Sequence, residues 1–237
     1  MDPKDRVETV AKTKAGARDE EASPGDQSAP GATHSVAEAE VDAIIEKWPP
    51  APQKMAKDMV EQYGAPNEAT PTLLIWHDSG PWKRTIVTSD ETAHDFPTPH
   101  TDFISQTINY DVPVEKLPEL AKFDGSLLIN RTAGQVTASC DNEAANYLAV
   151  NLMHDIVEGR LTAEQARAEL GEQQAAWLVN REAPYTDGVR FAQPVESETG
   201  YRDEPVMKAP TVRQTVEKVK DVLSGRDGLR RLRSTAR

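Results

Sequence analysis

The spacing of apolar residues predicts a series of helices and strands between residues 36 and 179. Two amphipathic helices come first, and the second ends at Gly64, a residue type favoured just beyond a helix C-terminus. Two β-rich runs follow, TLLIWH and WKRTIVTS, separated by the turn residues DSGP. Apolar and polar residues that alternate on either side of such a turn predict a β-hairpin.

The same region continues with a strand, a short helix, a second hairpin and two longer helices. The second hairpin, GSLLINRTAGQVTASC, turns at Gly134, where glycine tolerates a positive φ. Thr162 and Gln165 predict a capping box at the start of the last helix. Because the strands come in hairpins, we predict an α+β fold whose largely antiparallel sheet carries helices packed on one face.

The flanking segments differ from this core domain in composition. Residues 1–35 contain long runs of Pro, Gly, Ser and acidic residues without large apolar side chains, and predict a disordered tail. Residues 180–210 have little periodicity and predict an irregular arm, with Tyr185, Phe191 and Tyr201 as the residues that could anchor it to the core. Residues 211–237 predict an amphipathic helix with a basic end.

Charge and hydropathy limit the partners and the location. A net charge of -12 disfavours nucleic acid as a partner of the core, because phosphate binding requires concentrated Lys and Arg. The apolar stripe of the C-terminal helix predicts self-association or docking on the protein's own acidic surface. No apolar run approaches the roughly 20 residues of a membrane span, and no secretory signal is present, so we expect a cytoplasmic protein.

The stretch HDFPTPHTD contains the strongest candidates for metal ligands, namely His94, His100 and Asp102, to which the hairpin adds His77. A catalytic zinc ion takes three such side chains and keeps one open position. The two prolines between the histidines favour polyproline II, whose rise of about 3.1 Å per residue would separate them by about 19 Å. We therefore expect a stiff surface connection, with a metal-dependent enzyme as the alternative.

The first hairpin contains a candidate surface for a partner: Trp76, Trp82, Lys83 and Arg84. Tryptophan and arginine are enriched at interaction hot spots, although tryptophans in a sheet more often belong to the core. Cys140 is the only cysteine, so an intramolecular disulfide is excluded; we expect a packed cysteine and a surface His154, with a Cys140–His154 pair as the alternative. Because nucleotide, lipase and metalloprotease motifs are absent, we predict a non-catalytic accessory or binding protein without a cofactor, whose partner is an unidentified protein or small ligand.

The runs QYGAPNEATPTLLIWHDSGPWKRTIV, FDGSLLINRTAGQVTASCD and LAVNLMHDIVEG resemble a family of uncharacterised bacterial proteins. The resemblance covers roughly residues 45–160 and implies no activity. A fainter similarity links the helix followed by YGAPNEA and a Trp-bearing strand to the small outer-membrane assembly lipoproteins. This chain lacks the lipoprotein signal of those proteins.

Overall fold

A six-stranded antiparallel sheet is the centre of the structure, a computed structural model that describes residues 33–194 and 200, together with 5–6, 8–10 and 12–13. Numbered in chain order, the strands are β1 (Glu68–Ala69), β2 (Leu73–Ser79), β3 (Trp82–His94), β4 (His100–Asn109), β5 (Leu127–Asn130) and β6 (Gln135–Cys140). Across the sheet their order is β1-β2-β3-β4-β6-β5, and all neighbouring strands are antiparallel.

Between residues 33 and 194 the helices are α1 (Glu38–Ile45), α2 (Pro50–Tyr63), α3 (Leu117–Phe123), α4 (Glu143–Val157) and α5 (Ala163–Leu178). Single 3-10 turns are present at Val114–Lys116 and Pro184–Thr186. The predicted α+β fold is therefore confirmed, including the glycine that ends α2 and the capping box that begins α5. No helix in the described part of the chain is long and apolar enough to cross a membrane.

The two faces of the sheet differ in polarity, as the alternation of side chains along β4 illustrates. Ile104 and Ile108 are fully buried beneath the helices, whereas the intervening Ser105 and Thr107 lie on the opposite face. There the Ser105 hydroxyl is hydrogen-bonded to Ser139 at 2.7 Å, and the Thr107 hydroxyl is bonded to the neighbouring strand in the same way. The sheet is therefore covered by helices on one face, and on the other face hydroxyl groups pair between neighbouring strands, with Thr107 only 2% exposed.

The apolar core consists of two clusters. In the first, α1 and α2 pack with strands β2, β3 and β4 around the buried Trp48, Met59 and Trp76. In the second, α3, α4 and α5 pack with β4, β5 and β6 around residues such as Phe123 and Leu152. Burying large apolar side chains of this kind contributes about 1.5–3 kcal/mol each.

A buried polar network lies between the two apolar clusters and centres on Glu143, the first residue of α4. Its carboxylate is 8% exposed and accepts hydrogen bonds from four side chains at 2.7–2.8 Å. The donors are Gln62 and Tyr63 of α2, Trp82 of β3 and Gln106 of β4. One carboxylate thus joins two helices and two strands, and its position at a helix N-terminus also favours its negative charge.

The arm that follows α5 is anchored to the core as far as residue 194. Tyr185 and Phe191 pack against the second apolar cluster. The Asn151 amide of α4 donates to the carbonyl oxygens of Tyr185 and Gly188 at 3.0 and 2.8 Å, and its oxygen accepts from the Arg190 N–H. The arm therefore has irregular backbone but ordered contacts with α4.

Most of the two predicted tails lies outside the described residues. Within 1–35, residues 5–6, 8–10 and 12–13 are helical, and the Lys12 ammonium pairs with the carboxylate of Glu8 one turn earlier at 2.9 Å. The prediction of disorder did not anticipate this turn of helix. The predicted helix within 211–237 lies entirely outside the described residues.

One buried and one exposed leucine provide a test of the helix packing. Leu152 in α4 is fully buried, whereas Leu178 at the end of α5 is 69% exposed. We expect Leu152→Ala to lower the free energy of unfolding by about 2–5 kcal/mol, because it leaves a cavity in the second cluster. Leu178→Ala should change it by no more than about 0.5 kcal/mol. Equilibrium unfolding in urea measures both, and equal losses would contradict the packing described.

The polar network around Glu143 predicts how strongly three glutamate variants lower the free energy of unfolding. Glu143→Ala leaves three buried or half-buried donors, those of Tyr63, Trp82 and Gln106, without this acceptor, and we expect it to lower the free energy of unfolding by at least about 2 kcal/mol. Glu143→Gln keeps one oxygen acceptor and should lose less. The matched control is Glu172→Ala on the exposed face of α5, with an effect of at most about 0.5 kcal/mol. If the two Glu143 variants unfold at the same urea concentration as the control, the carboxylate does not organise the core.

Candidate metal centre

An irregularity in β3 brings a histidine onto the helix-covered face of the sheet. β3 pairs with β4 at Val87–Ile104 and again at Thr92–Asp102, so four residues of β3 lie opposite a single residue of β4. His94 is seven residues beyond Val87, and in a regular strand the two side chains would point to opposite faces. Because the bulge adds three residues to β3 alone, it reverses the alternation, and His94 shares a face with Val87.

The pairing at the end of the hairpin then assembles three potential ligands. His94 lies directly opposite His100, and their ring centres are 4.8 Å apart. Asp102 lies two residues along β4 from His100 and so projects from the same face. One ligand atom from each of these three residues lies within 4.8 Å of the other two. All three side chains are largely buried, with 17%, 11% and 8% of their areas exposed for His94, His100 and Asp102.

The connection between the histidines, residues 95–99, is held against the helices. The Phe96 ring meets Phe123 edge to face at 6.4 Å, and the guanidinium carbon of Arg167 lies 3.6 Å from the centre of the Phe96 ring. The Phe96–Pro97 peptide is cis, and His94 and His100 on either side of this connection are paired across the two strands. The predicted extended surface connection, with about 19 Å between the histidines, is therefore wrong because the chain reverses within these residues.

Asp102 lies between the two imidazole rings. Its carboxylate oxygens are 3.2 Å from His94 Nδ1 and 3.1 Å from His100 Nε2. Ligands arranged tetrahedrally at about 2.0–2.1 Å from a zinc ion are about 3.3 Å apart. The two distances from Asp102 match that spacing, whereas the atoms of the two histidines would have to approach each other by small side-chain rotations.

The hydrogen bonds of His100 orient its ring. Nδ1 is 2.8 Å from the carbonyl oxygen of Thr98, which can only accept, so Nδ1 carries a hydrogen. In the neutral ring the lone pair is then on Nε2, which faces the Asp102 oxygen at 3.1 Å. Two acceptors at this distance require a proton or a cation between them. Metal-ligating histidines typically have their outer nitrogen bonded in this way to a carbonyl or a carboxylate.

Two residues in the connection between α3 and β5, Asp124 and Ser126, contact His94 and Asp102. Asp124 Oδ1 lies 3.7 Å from His94 Nε2 and accepts a hydrogen bond from the Ser126 N–H at 2.8 Å. The Ser126 hydroxyl donates to Asp102 Oδ2. Burial raises the pKa of the Asp124 carboxyl, although its hydrogen bond from the Ser126 backbone and the nearby His94 act in the opposite direction. These contacts surround the candidate ligands with further polar groups, as is usual at metal sites.

The combination of Ser126, His94 and Asp102 does not have the geometry of a nucleophilic triad. In such a triad the serine and the aspartate bond to different nitrogens of the histidine, so that a proton can pass from the serine to the ring. Here the Ser126 hydroxyl and the Asp102 carboxylate both contact His94 Nδ1, each at 3.3 Å. The cluster therefore lacks the arrangement through which a histidine activates a serine.

A cavity of about 20 Å³ borders the cluster and is lined by His94, Asp124 and Cys140 together with apolar side chains of α4 and α5. Its volume suffices for about one water molecule.

Cys140 Sγ is 3.3 Å from His100 Nε2, and burial raises the pKa of the thiol. The alternative pairing of Cys140 with His154 is not formed: the sulfur contacts His100, and His154 Nδ1 bonds to the Tyr110 hydroxyl at 2.8 Å.

His77 is not part of the cluster, which corrects the four-residue ligand set considered from the sequence. It pairs with Arg84 in the sheet, and its neighbour Trp76 occupies the helix-covered face. His77 therefore projects from the opposite face. Its Nε2 is 2.7 Å from Glu68 Oε1, an interaction separate from the candidate metal centre.

The four residues of the predicted partner surface do not form one surface. Trp76 is 2% exposed and donates its indole N–H to the Gly64 carbonyl, whereas Trp82 is 1% exposed and stacks on Tyr147 with ring centres 4.9 Å apart. Lys83 forms an ion pair with Asp78 at 3.3 Å. The prediction is wrong about the indoles because both rings fill the core, the commoner position for tryptophan in a sheet.

Comparison with known proteins assigns no function to this cluster. The chain matches no protein-family model, no curated protein and no solved structure. The candidate metal centre is therefore defined by its own geometry, which joins the end of the β3–β4 hairpin to β6 and to the connection after α3.

Proposed function

We propose that this protein binds a divalent transition-metal ion through His94 Nδ1, His100 Nε2 and the Asp102 carboxylate. The observation that carries the proposal is that one ligand atom from each of these three largely buried residues lies within 4.8 Å of the other two. The hydrogen bond from His100 to Thr98 supports it further, because it leaves the lone pair of Nε2 directed at Asp102. A metal ion bound between Nε2 and the carboxylate would supply positive charge there in place of a proton.

The chemistry of the ligands favours particular metals. Two imidazoles and one carboxylate suit Zn²⁺ and neighbouring ions such as Co²⁺ and Ni²⁺. Ca²⁺ takes six to eight oxygen ligands, and Mg²⁺ is usually held by carboxylates, phosphates and water. Zinc is the first choice because it accepts low coordination numbers and imposes no geometric preference of its own.

The proposed role of the ion is structural, in a protein that acts as a non-catalytic accessory or binding protein. Coordination would connect β3 and β4 where their hairpin ends, and would fix the neighbouring residues that Ser126 and Asp124 contact. The adjoining cavity of about 20 Å³ has room for about one water molecule and none for a substrate of ordinary size. This favours the structural role over the metal-dependent enzyme.

Metal content and affinity test the proposal. We expect the full-length protein, stripped with chelator and reloaded, to bind one Zn²⁺ per chain by elemental analysis and by calorimetric titration. His94→Ala and His100→Ala should each abolish stoichiometric binding. The matched controls are His77→Ala and His154→Ala, which remove histidines outside the cluster and should leave the stoichiometry unchanged. Equal binding by all four variants, or none by the wild type, would overturn the proposal.

The same ion should stabilise the fold. At a free zinc concentration of about 100 times Kd, binding to the native state adds about 2.7 kcal/mol to the free energy of unfolding. For a chain of this size that corresponds to a rise in Tm of about 5–10 °C. The rise should disappear in Asp102→Asn and persist in His77→Ala, as measured by thermal unfolding with and without chelator. An identical zinc-dependent rise in both variants would place the binding site elsewhere.

A further inference from the structure

Cys140 stands next to the three candidate ligands as a result of the sheet register. It ends β6 and pairs with Ile104, which is two residues along β4 from Asp102. Directly paired residues and residues two apart on one strand project from the same face, so Cys140 and Asp102 are diagonal neighbours on the helix-covered face. The fourth residue type that zinc prefers thus lies beside the proposed ligands.

The sulfur lies at a distance suited to a shared ion. Cys140 Sγ is 3.3 Å from His100 Nε2. In a tetrahedral site with zinc–sulfur and zinc–nitrogen bonds of about 2.3 and 2.0–2.1 Å, sulfur and nitrogen are about 3.6 Å apart. The spacing in the protein is slightly shorter than this sulfur–nitrogen distance. Among the residues that the structure describes, the group of ligand atoms within 4.8 Å of one another contains only His94, His100 and Asp102, so binding a shared ion would require the sulfur to move closer to that group. Cys140 and His94 also line the same cavity of about 20 Å³.

We propose that Cys140 is the fourth ligand of the metal ion, so that the site is a closed tetrahedron formed by two imidazoles, one carboxylate and one thiolate. This inference rests on the proposed function. When the ion binds, the S–H bond breaks, the sulfur lone pair forms the bond to the metal, and the proton leaves to the solvent. No oxidant or reductant takes part.

A thiolate ligand would favour particular metals and a structural role for the site. Sulfur ligands favour Zn²⁺ and Co²⁺ and disfavour Mn²⁺, which binds preferentially to oxygen. Four protein ligands leave no position for water or substrate, an arrangement typical of structural zinc. The ion would also join β6 to the β3–β4 hairpin and so connect three strands of the sheet.

Cobalt substitution tests the sulfur ligand directly, because a thiolate bound to Co²⁺ produces a charge-transfer band in the near ultraviolet. We expect the full-length protein loaded with Co²⁺ to show this band. Cys140→Ser should lose the band and bind Co²⁺ at least about tenfold more weakly. The control Thr137→Val, on the same strand but on the opposite face, should keep both the band and the affinity. Circular dichroism verifies that each variant is folded.

X-ray absorption of the zinc-loaded wild type provides a readout that needs no variant. We expect one sulfur at about 2.3 Å and three nitrogen or oxygen ligands at about 2.0–2.1 Å. Stoichiometric binding with nitrogen and oxygen ligands alone would overturn the role of Cys140 and leave the proposed function intact. Absence of stoichiometric binding in the wild type would overturn both, so the two failures are distinguishable.

Discussion

The backbone pairing of β3 with β4 fixes the position of almost every other feature. Before the bulge it aligns Val87 with Ile104, and these side chains contribute to the core beneath α1 and α2. Beyond the bulge it aligns His94 with His100, so that the candidate metal centre lies on the same face as the core. A shift of one residue in either part would exchange buried and exposed side chains. One set of strand contacts therefore determines both the packing and the site.

The Glu143 network stabilises this pairing from the helix side. Its carboxylate accepts from Trp82 on β3 and Gln106 on β4, and from Gln62 and Tyr63 on α2. Burying a charge is unfavourable unless hydrogen bonds compensate, and here four donors surround the group. The network specifies how α2 and α4 meet over the sheet, because a different packing would leave these donors unpaired. Polar contacts thus complement the non-directional attraction within the two apolar clusters.

Local sequence patterns were sufficient to predict the helices and turns but not the candidate metal centre. The capping box of Thr162 and Gln165 and the glycine turn at Gly134 depend on nearby residues, and both are present in the structure. Whether His94 and His100 converge depends instead on the bulge in β3, which no periodicity of the sequence signals. The polyproline argument was sound for trans prolines in an extended chain, and it failed because the packing of Phe96 reverses the path.

The remaining neighbours of the site come from distant parts of the chain. Asp124 and Ser126 reach it through the packing of α3, and Cys140 reaches it through the pairing of β6 with β4. Cys140 is placed beside Asp102 only by the register of β6 against β4, two strands that no short turn connects. The burial of Trp76 and Trp82 likewise depends on which face the helices cover, a choice that the alternating pattern of one strand leaves open.

The most direct test of the metal centre is anomalous diffraction from crystals of the full-length protein grown with Zn²⁺, with data collected on both sides of the zinc absorption edge. The account predicts one strong anomalous peak about 2.0–2.1 Å from both His94 Nδ1 and His100 Nε2, and beside an Asp102 oxygen. Ordered side chains at these three residues with no anomalous peak between them, or a peak at His77 and Glu68 instead, would contradict it.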